Sequence, residues 1–111
     1  PYSQAIISGG LVFTSGQIPV DPATGVIAGE TIVEQAKQVM ANLQVVLAAA
    51  GTTPERAVKT TCFLADMADF AAFNEIYAQT FTSKPARSCV AVRTLPKGVL
   101  CEVEVIAEVE D

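Results

Sequence analysis

The period of apolar and polar positions changes several times along the chain. Residues 5–8 and 11–15 are short runs of β-favouring residues, and Gly9-Gly10 between them suits a tight hairpin turn. Residues 18–29 lose any regular period, and Pro19, Asp21-Pro22, Gly25 and Gly29 mark an irregular excursion. A helix then starts clearly. Thr31 followed by Glu34 matches a capping box, in which each side chain satisfies a free backbone N–H of the first turn. Ile32, Ala36, Val39, Met40, Leu43, Val46, Leu47 and Ala50 recur at spacings of three and four, and Gly51 is placed to end the stripe. Thr53-Pro54 predicts a short helical turn, and residues 58–64 read as a strand. Asp66 or Asp69 is positioned to cap a second helix. Its Phe70, Phe73, Tyr77 and Phe81 share a face, and Lys84-Pro85 stops it.

The last third predicts a second hairpin. Residues 87–92 form one arm and Leu95-Pro96-Lys97-Gly98 the turn region. In the other arm Val99, Cys101, Val103, Val105, Ala107 and Val109 alternate with Leu100, Glu102, Glu104, Ile106 and Glu108. No repeat or linker interrupts the chain, so residues 1–111 read as one domain. The order β-β-α-β-α-β-β predicts an α+β fold, a mixed sheet with two helices packed on one face. Two helices cover one side only. Phe63, Leu100 and Ile106 fall on the other side among polar neighbours, and a half-apolar exposed sheet face predicts a homo-oligomer.

Composition narrows the chemistry. The chain has 111 residues, half of them hydrophobic and 17% charged, which excludes disorder and disfavours two separately folded domains. Twelve acidic against seven basic residues give a net charge of -5, which argues against nucleic-acid binding and against adhesion to anionic membranes. Histidine is absent, which removes every mechanism resting on an imidazole and argues against a zinc or haem site. Cys62, Cys89 and Cys101 are widely separated, without a CxxC pair, and predict free thiols in a reducing compartment. Cys62 and Cys101, in apolar surroundings, are expected in the core. No apolar run approaches the ~20 residues that span a bilayer, and no signal segment opens the chain, so a cytoplasmic location is expected. The chain opens on Pro1 rather than Met, and a natural beginning upstream of it is expected.

Few residues remain that could carry chemistry. Arg87 opens a β-prone strand, and its planar guanidinium can hold a carboxylate through two parallel hydrogen bonds; spacing alone favours an exposed or interface salt bridge. Glu102 lies mid-strand on the arm predicted to pair with the strand of Arg87. A carboxylate on a partly buried sheet face can exchange protons near neutrality, although Glu104 and Glu108 at similar spacing favour a solvated outer face. Cys89 has no histidine to activate it and reads as a structural thiol whose backbone amide and carbonyl are of more interest. Tyr2 reads as an exposed ring near a mobile end. Ser15 offers a hydroxyl, but its neighbour Gly16 makes turn chemistry an equal account. Neither Gly9-Gly10 nor Ser15-Gly16 has the spacing of a phosphate-binding loop.

Several linked motifs then stand in order. Pro85-Ala86-Arg87-Ser88-Cys89-Val90-Ala91-Val92, followed by Leu95-Pro96 and Glu102-Val103-Glu104, resembles the signature of the Rid family, also called YjgF-like. Pro1-Tyr2-Ser3-Gln4-Ala5 and Leu11-Val12-Phe13-Thr14-Ser15-Gly16-Gln17 with Pro19 resemble its two earlier blocks, so the likeness runs from end to end. It implies a chorismate-mutase-like α+β fold and a homotrimer with active sites in clefts between subunits. The implied activity is hydrolysis of reactive enamines and imines such as 2-aminoacrylate to 2-oxo acids and ammonia, without metal or cofactor. In that reading Arg87 clamps the substrate carboxylate and Glu102 positions and activates water. The backbone around Cys89 binds substrate, Ser15 orients it, and Tyr2 closes the pocket from an adjacent subunit. The resemblance also implies a further stretch before the Pro-Tyr-Ser-Gln motif, ahead of Pro1. Two other functions compete: a non-catalytic sensor of small 2-oxo acids, and an endoribonuclease or translation inhibitor, to which acidic charge and few aromatics give little support.

Overall fold

The computed structural model describes residues 1–109. Gly9 and Gly10 take φ of 60° and 78°, the left-handed pair that a two-residue primed turn requires, and close strand β1 (Ala5–Ser8) on β2 (Leu11–Thr14). The excursion after β2 is pinned to helix α1 (Ile32–Ala49) by Asn42, whose amide donates to the carbonyls of Ile18 (3.1 Å) and Val20 (2.9 Å). Helix α1 begins at the expected capping box, with both reciprocal hydrogen bonds of Thr31 and Glu34 formed. A 3-10 turn at Pro54–Arg56 leads into β3 (Ala57–Leu64). Asp66 caps a further 3-10 turn ahead of helix α2 (Phe70–Thr80), whereas Asp69 makes no side-chain cap. Strands β4 (Ala86–Ala91) and β5 (Cys101–Glu108) complete the β-β-α-β-α-β-β order and the α+β class expected from the sequence.

The expected second hairpin does not form. Sheet order is β1-β2-β5-β3-β4. Strand β4 pairs with β3 in parallel through the α2 crossover, while β5 runs antiparallel between β2 and β3. The pattern itself gives the reason. Residues 101, 103, 105 and 107 are all buried, as a central strand under two helices demands, whereas every residue of β4 is exposed or half-buried, as at an edge. The connection over residues 92–100 includes Lys97 with φ of 57° and crosses the end of β3 instead of reversing tightly.

The core lies between helices and sheet, around Phe73, Leu43, Leu47, Leu64, Val12 and Val105. Each such side chain contributes about 1.5–3 kcal/mol on burial. Cys62 and Cys101 are buried in it, and all three cysteines are free thiols. Inside the core the hydroxyls of Thr60 and Tyr77 share a hydrogen bond of 2.7 Å. The opposite sheet face carries two cross-strand rows, Ile6–Phe13–Ile106 and Val90–Phe63–Glu102. Ile6, Phe13 and Val90 remain 40–55% exposed, and Phe63 and Ile106 lie on this face as the pattern predicted, whereas Leu100 precedes β5 and packs against the core.

Candidate active site

Register decides where Arg87 points. It pairs with Thr60, which pairs with Val105 on its other side. Thr60 and Val105 are buried against the helices, so Arg87 and, two residues on, Cys89 project from the same face toward α2. There Arg87 Nη1 donates to Asn74 Oδ1 at 2.7 Å. The guanidinium carbon stands 4.7 Å from the ring centre of Tyr77 and 5.5 Å from that of Phe70, within cation–π range of both. Arg87 is half-buried, and among the described residues no carboxylate pairs with it. Among the described residues, the intramolecular salt bridge that would account for it structurally is therefore not formed.

Cys89 lies directly opposite Cys62 across β3 and β4. Burial pushes its thiol up, with the charge of Arg87 pulling the other way, and Cys62 is pushed up to about 12. Neither is a thiolate at neutral pH, so neither is a poised nucleophile. Cys89 stands on the same face of β4 as Arg87, two residues on.

Glu102 lies elsewhere. It pairs with Phe63, not with Arg87, and projects from the uncovered face. The expected juxtaposition of Glu102 and Arg87 on neighbouring hairpin arms is thus corrected: β3 separates their strands, and they occupy opposite faces of the sheet. Glu102 owes its setting to the end of β2. The Val105 N–H, which would continue the ladder, donates instead to Thr14 Oγ1 (3.0 Å), and the chain rejoins β5 only at Gln17, bonded to Val103 in both directions. Ser15 and Gly16 loop out between these points. A Cβ on Gly16 would overlap the Glu102 carboxyl, so the absence of a side chain creates the cradle in which that carboxyl rests. Burial raises the Glu102 pKa above its ordinary value, and neighbouring Glu104 raises it further. A carboxyl in this state is suited to taking up and releasing protons nearer neutrality.

Ser15 serves mainly to tie down the N-terminal segment. Its hydroxyl donates to the Ser3 carbonyl (2.6 Å) and its N–H to the Gln4 carbonyl (2.8 Å). That segment carries Tyr2, 74% exposed, to the rim of a cavity of about 440 Å3 that Gly16, Gln17, Asn42 and Lys97 also line. Ser15 and Gly16 thus link the segment of Tyr2 to Glu102, whereas Arg87, Cys89 and Asn74 lie apart from them on the helix side of the sheet. Among the described residues no group of three or more His, Cys, Asp or Glu is arranged to hold a metal ion.

Sequence reasoning missed Asn74 and the reason for Gly16. Asn74 did leave a signal: it lies four residues after Phe70 and three before Tyr77, a polar residue within the apolar stripe of α2. Gly16 left none, because its constraint comes from a residue far along the chain.

Comparison with known proteins gives concordant matches. The family model described as endoribonuclease L-PSP matches residues 1–109. A RutC family protein of Synechocystis is 56% identical over 110 residues, spanning 96% of this chain and 85% of its own. The crystal structure of YyfA from Yersinia pestis, of the Rid protein family, superposes with a TM-score of 0.95 at 48% identity, covering 98% of this chain and 88% of that one. E. coli TdcF, solved with bound serine, gives 0.93 at 43% identity, covering 99% and 89%.

Proposed function

The chain belongs to the endoribonuclease L-PSP family, the Rid or YjgF-like proteins, and from that premise we propose that it hydrolyses small enamine and imine carboxylates to 2-oxo acids and ammonia. The observation that carries the reading is Arg87, a half-buried guanidinium with no carboxylate partner among the described residues. Such a group is a ready receptor for a small organic anion. The serine bound to TdcF carries the same kind of carboxylate.

The chemistry asks little of the protein. An enamine such as 2-aminoacrylate takes a proton at its terminal carbon and becomes the protonated imine, whose C=N carbon is electrophilic. Water adds to that carbon as Glu102 accepts its proton. Glu102 then passes the proton to the nitrogen, the C–N bond breaks as the hydroxyl oxygen forms the C=O of a 2-oxo acid, and the hydroxyl proton leaves with the ammonia as ammonium. Holding the carboxylate on Arg87 aligns this carbon with the water, and positioning and acid–base catalysis can each supply about 100-fold or more. Because Arg87 and Glu102 leave opposite faces of one sheet, the proposed site is completed by two copies, the Arg87 half of one against the Glu102, Ser15 and Tyr2 half of the next. The uncovered apolar sheet face supports that association. An RNA-cleaving reading has less support, since the chain is acidic and lacks histidine.

The test couples the protein to a dehydratase that releases 2-aminoacrylate and follows 2-oxo acid formation. Arg87→Ala is expected to remove the acceleration, by ~100-fold or more, with oligomer mass unchanged. Full activity in Arg87→Ala ends the proposal. Binding of 2-oxobutanoate by the wild type without any acceleration identifies a sensor instead.

A further inference from the structure

Arg87 is held in an unusual way for a half-buried cation. Its Nη1 donates to a neutral amide, and two aromatic faces flank it. A guanidinium has no acceptor, so Asn74 must present its oxygen, and the amide orientation is fixed by chemistry. Tyr77, one of the flanking rings, is itself fixed by its hydroxyl bond to Thr60. Among the described residues the guanidinium makes no other hydrogen bond, so the parallel N–H pair of Nε and Nη2 keeps its capacity for a ligand. An aspartate would fill the place of Asn74 with nearly the same shape and a stronger bond. It would also cancel the charge and compete with any incoming carboxylate.

We propose that Asn74 is a positioning residue for Arg87: its uncharged oxygen anchors Nη1 from α2, and so aims the Nε/Nη2 fork, with its positive charge intact, at an anionic ligand. The anchor makes the site selective for carboxylates over their neutral esters or amides. This deepens the deaminase reading and rests on it for the identity of the anion, but the anchoring itself is separable. Asn74 is half-buried on α2, so replacing it leaves the core side chains Phe73 and Ile76 in place.

The experiment compares wild type, Asn74→Ala and Asn74→Asp in two measurements. The first is the 15N-resolved NMR signature of the Arg87 side chain. Restricted rotation, with distinct Nη1 and Nη2 resonances, is expected in the wild type and is expected to collapse to an average in Asn74→Ala. The second is titration with 2-oxobutanoate and with its methyl ester. Asn74→Asp is expected to weaken the anion by ~10-fold or more and leave the ester unchanged, with KM for the imine raised and kcat largely kept. Resonances in Asn74→Ala as distinct as in the wild type, or wild-type affinity for 2-oxobutanoate in Asn74→Asp, overturn the proposal. Failure of the deaminase reading looks different. The wild type then does not accelerate hydrolysis, whether or not it binds 2-oxobutanoate, while the NMR signature still decides the anchor.

Discussion

At the scale of single residues, the proposed chemistry rests on a carboxyl whose surroundings oppose its charge. Burial first and Glu104 second raise the pKa of Glu102 above 4.5, its ordinary value. The folded state therefore favours the protonated form, while water activation needs the carboxylate. The acid limb of the pH–rate profile is accordingly expected to have its midpoint above 4.5. Glu104→Gln removes one of the two causes and is expected to move that midpoint to lower pH. A midpoint unmoved in Glu104→Gln would detach the limb from Glu102. Stability carries the same sign. A carboxyl whose folded pKa is raised costs stability as pH climbs from the unfolded value through the folded one, and nothing below both. Urea unfolding of Glu102→Gln against wild type is expected to agree at pH 3 and to favour the variant at pH 7. The type and chain position of Glu102 were readable because alternation places it on the face opposite Val103. Its burial was not, because the loop that shelters it depends on Gly16, which reads locally as an ordinary turn residue.

At the scale of elements, whatever is encoded within a few residues of itself was legible. The Gly9-Gly10 turn and the capping box each need only neighbours to form, and both stand as expected. The cap also yields a prediction. Thr31 accepts the Glu34 N–H at 3.2 Å and lends a hydrogen bond to the Glu34 carboxylate, the first cause of that group's lowered pKa. Thr31→Ala is expected to lower the thermal midpoint by about 2–8 °C at pH 7. A carboxyl lowered in the fold stabilises above its unfolded pKa and ceases to do so as pH falls through the folded one. The deficit of Thr31→Ala should therefore shrink in acid, and a deficit that is independent of pH would remove Glu34 from the cap. Strand pairing was illegible for the opposite reason. That β4 joins β3 in parallel while β5 inserts beside it depends on contacts between distant segments, and two consecutive β-prone runs at the chain's end read most simply as a hairpin.

At the scale of the whole molecule, the proposed reaction makes an oligomer part of the chemistry, because Arg87 and Glu102 leave opposite faces of one sheet. The sequence pointed to both ingredients, a spare apolar face from its pattern and Arg87 from the family resemblance. It could not place them relative to one another, because face and strand order are set only when the sheet assembles. If each site takes Arg87 from one copy and Glu102 from the next around a ring, two inactive variants can repair one another. Arg87→Ala chains keep Glu102, and Glu102→Gln chains keep Arg87. Unfolding and refolding an equal mixture assorts them at random. A given interface then has one chance in two of receiving an intact Arg87 from its first member and one in two of an intact Glu102 from its second. About a quarter of wild-type activity is expected to return, whatever the number of subunits in the ring. Each variant refolded alone stays inactive under the same treatment. If both residues instead served a site within one chain, every chain in the mixture would lack one of them, and no activity would return. Recovery near a quarter thus places the reaction between copies, and its absence, with hetero-oligomers verified by mass, returns it to the single chain and removes the shared cleft from the mechanism.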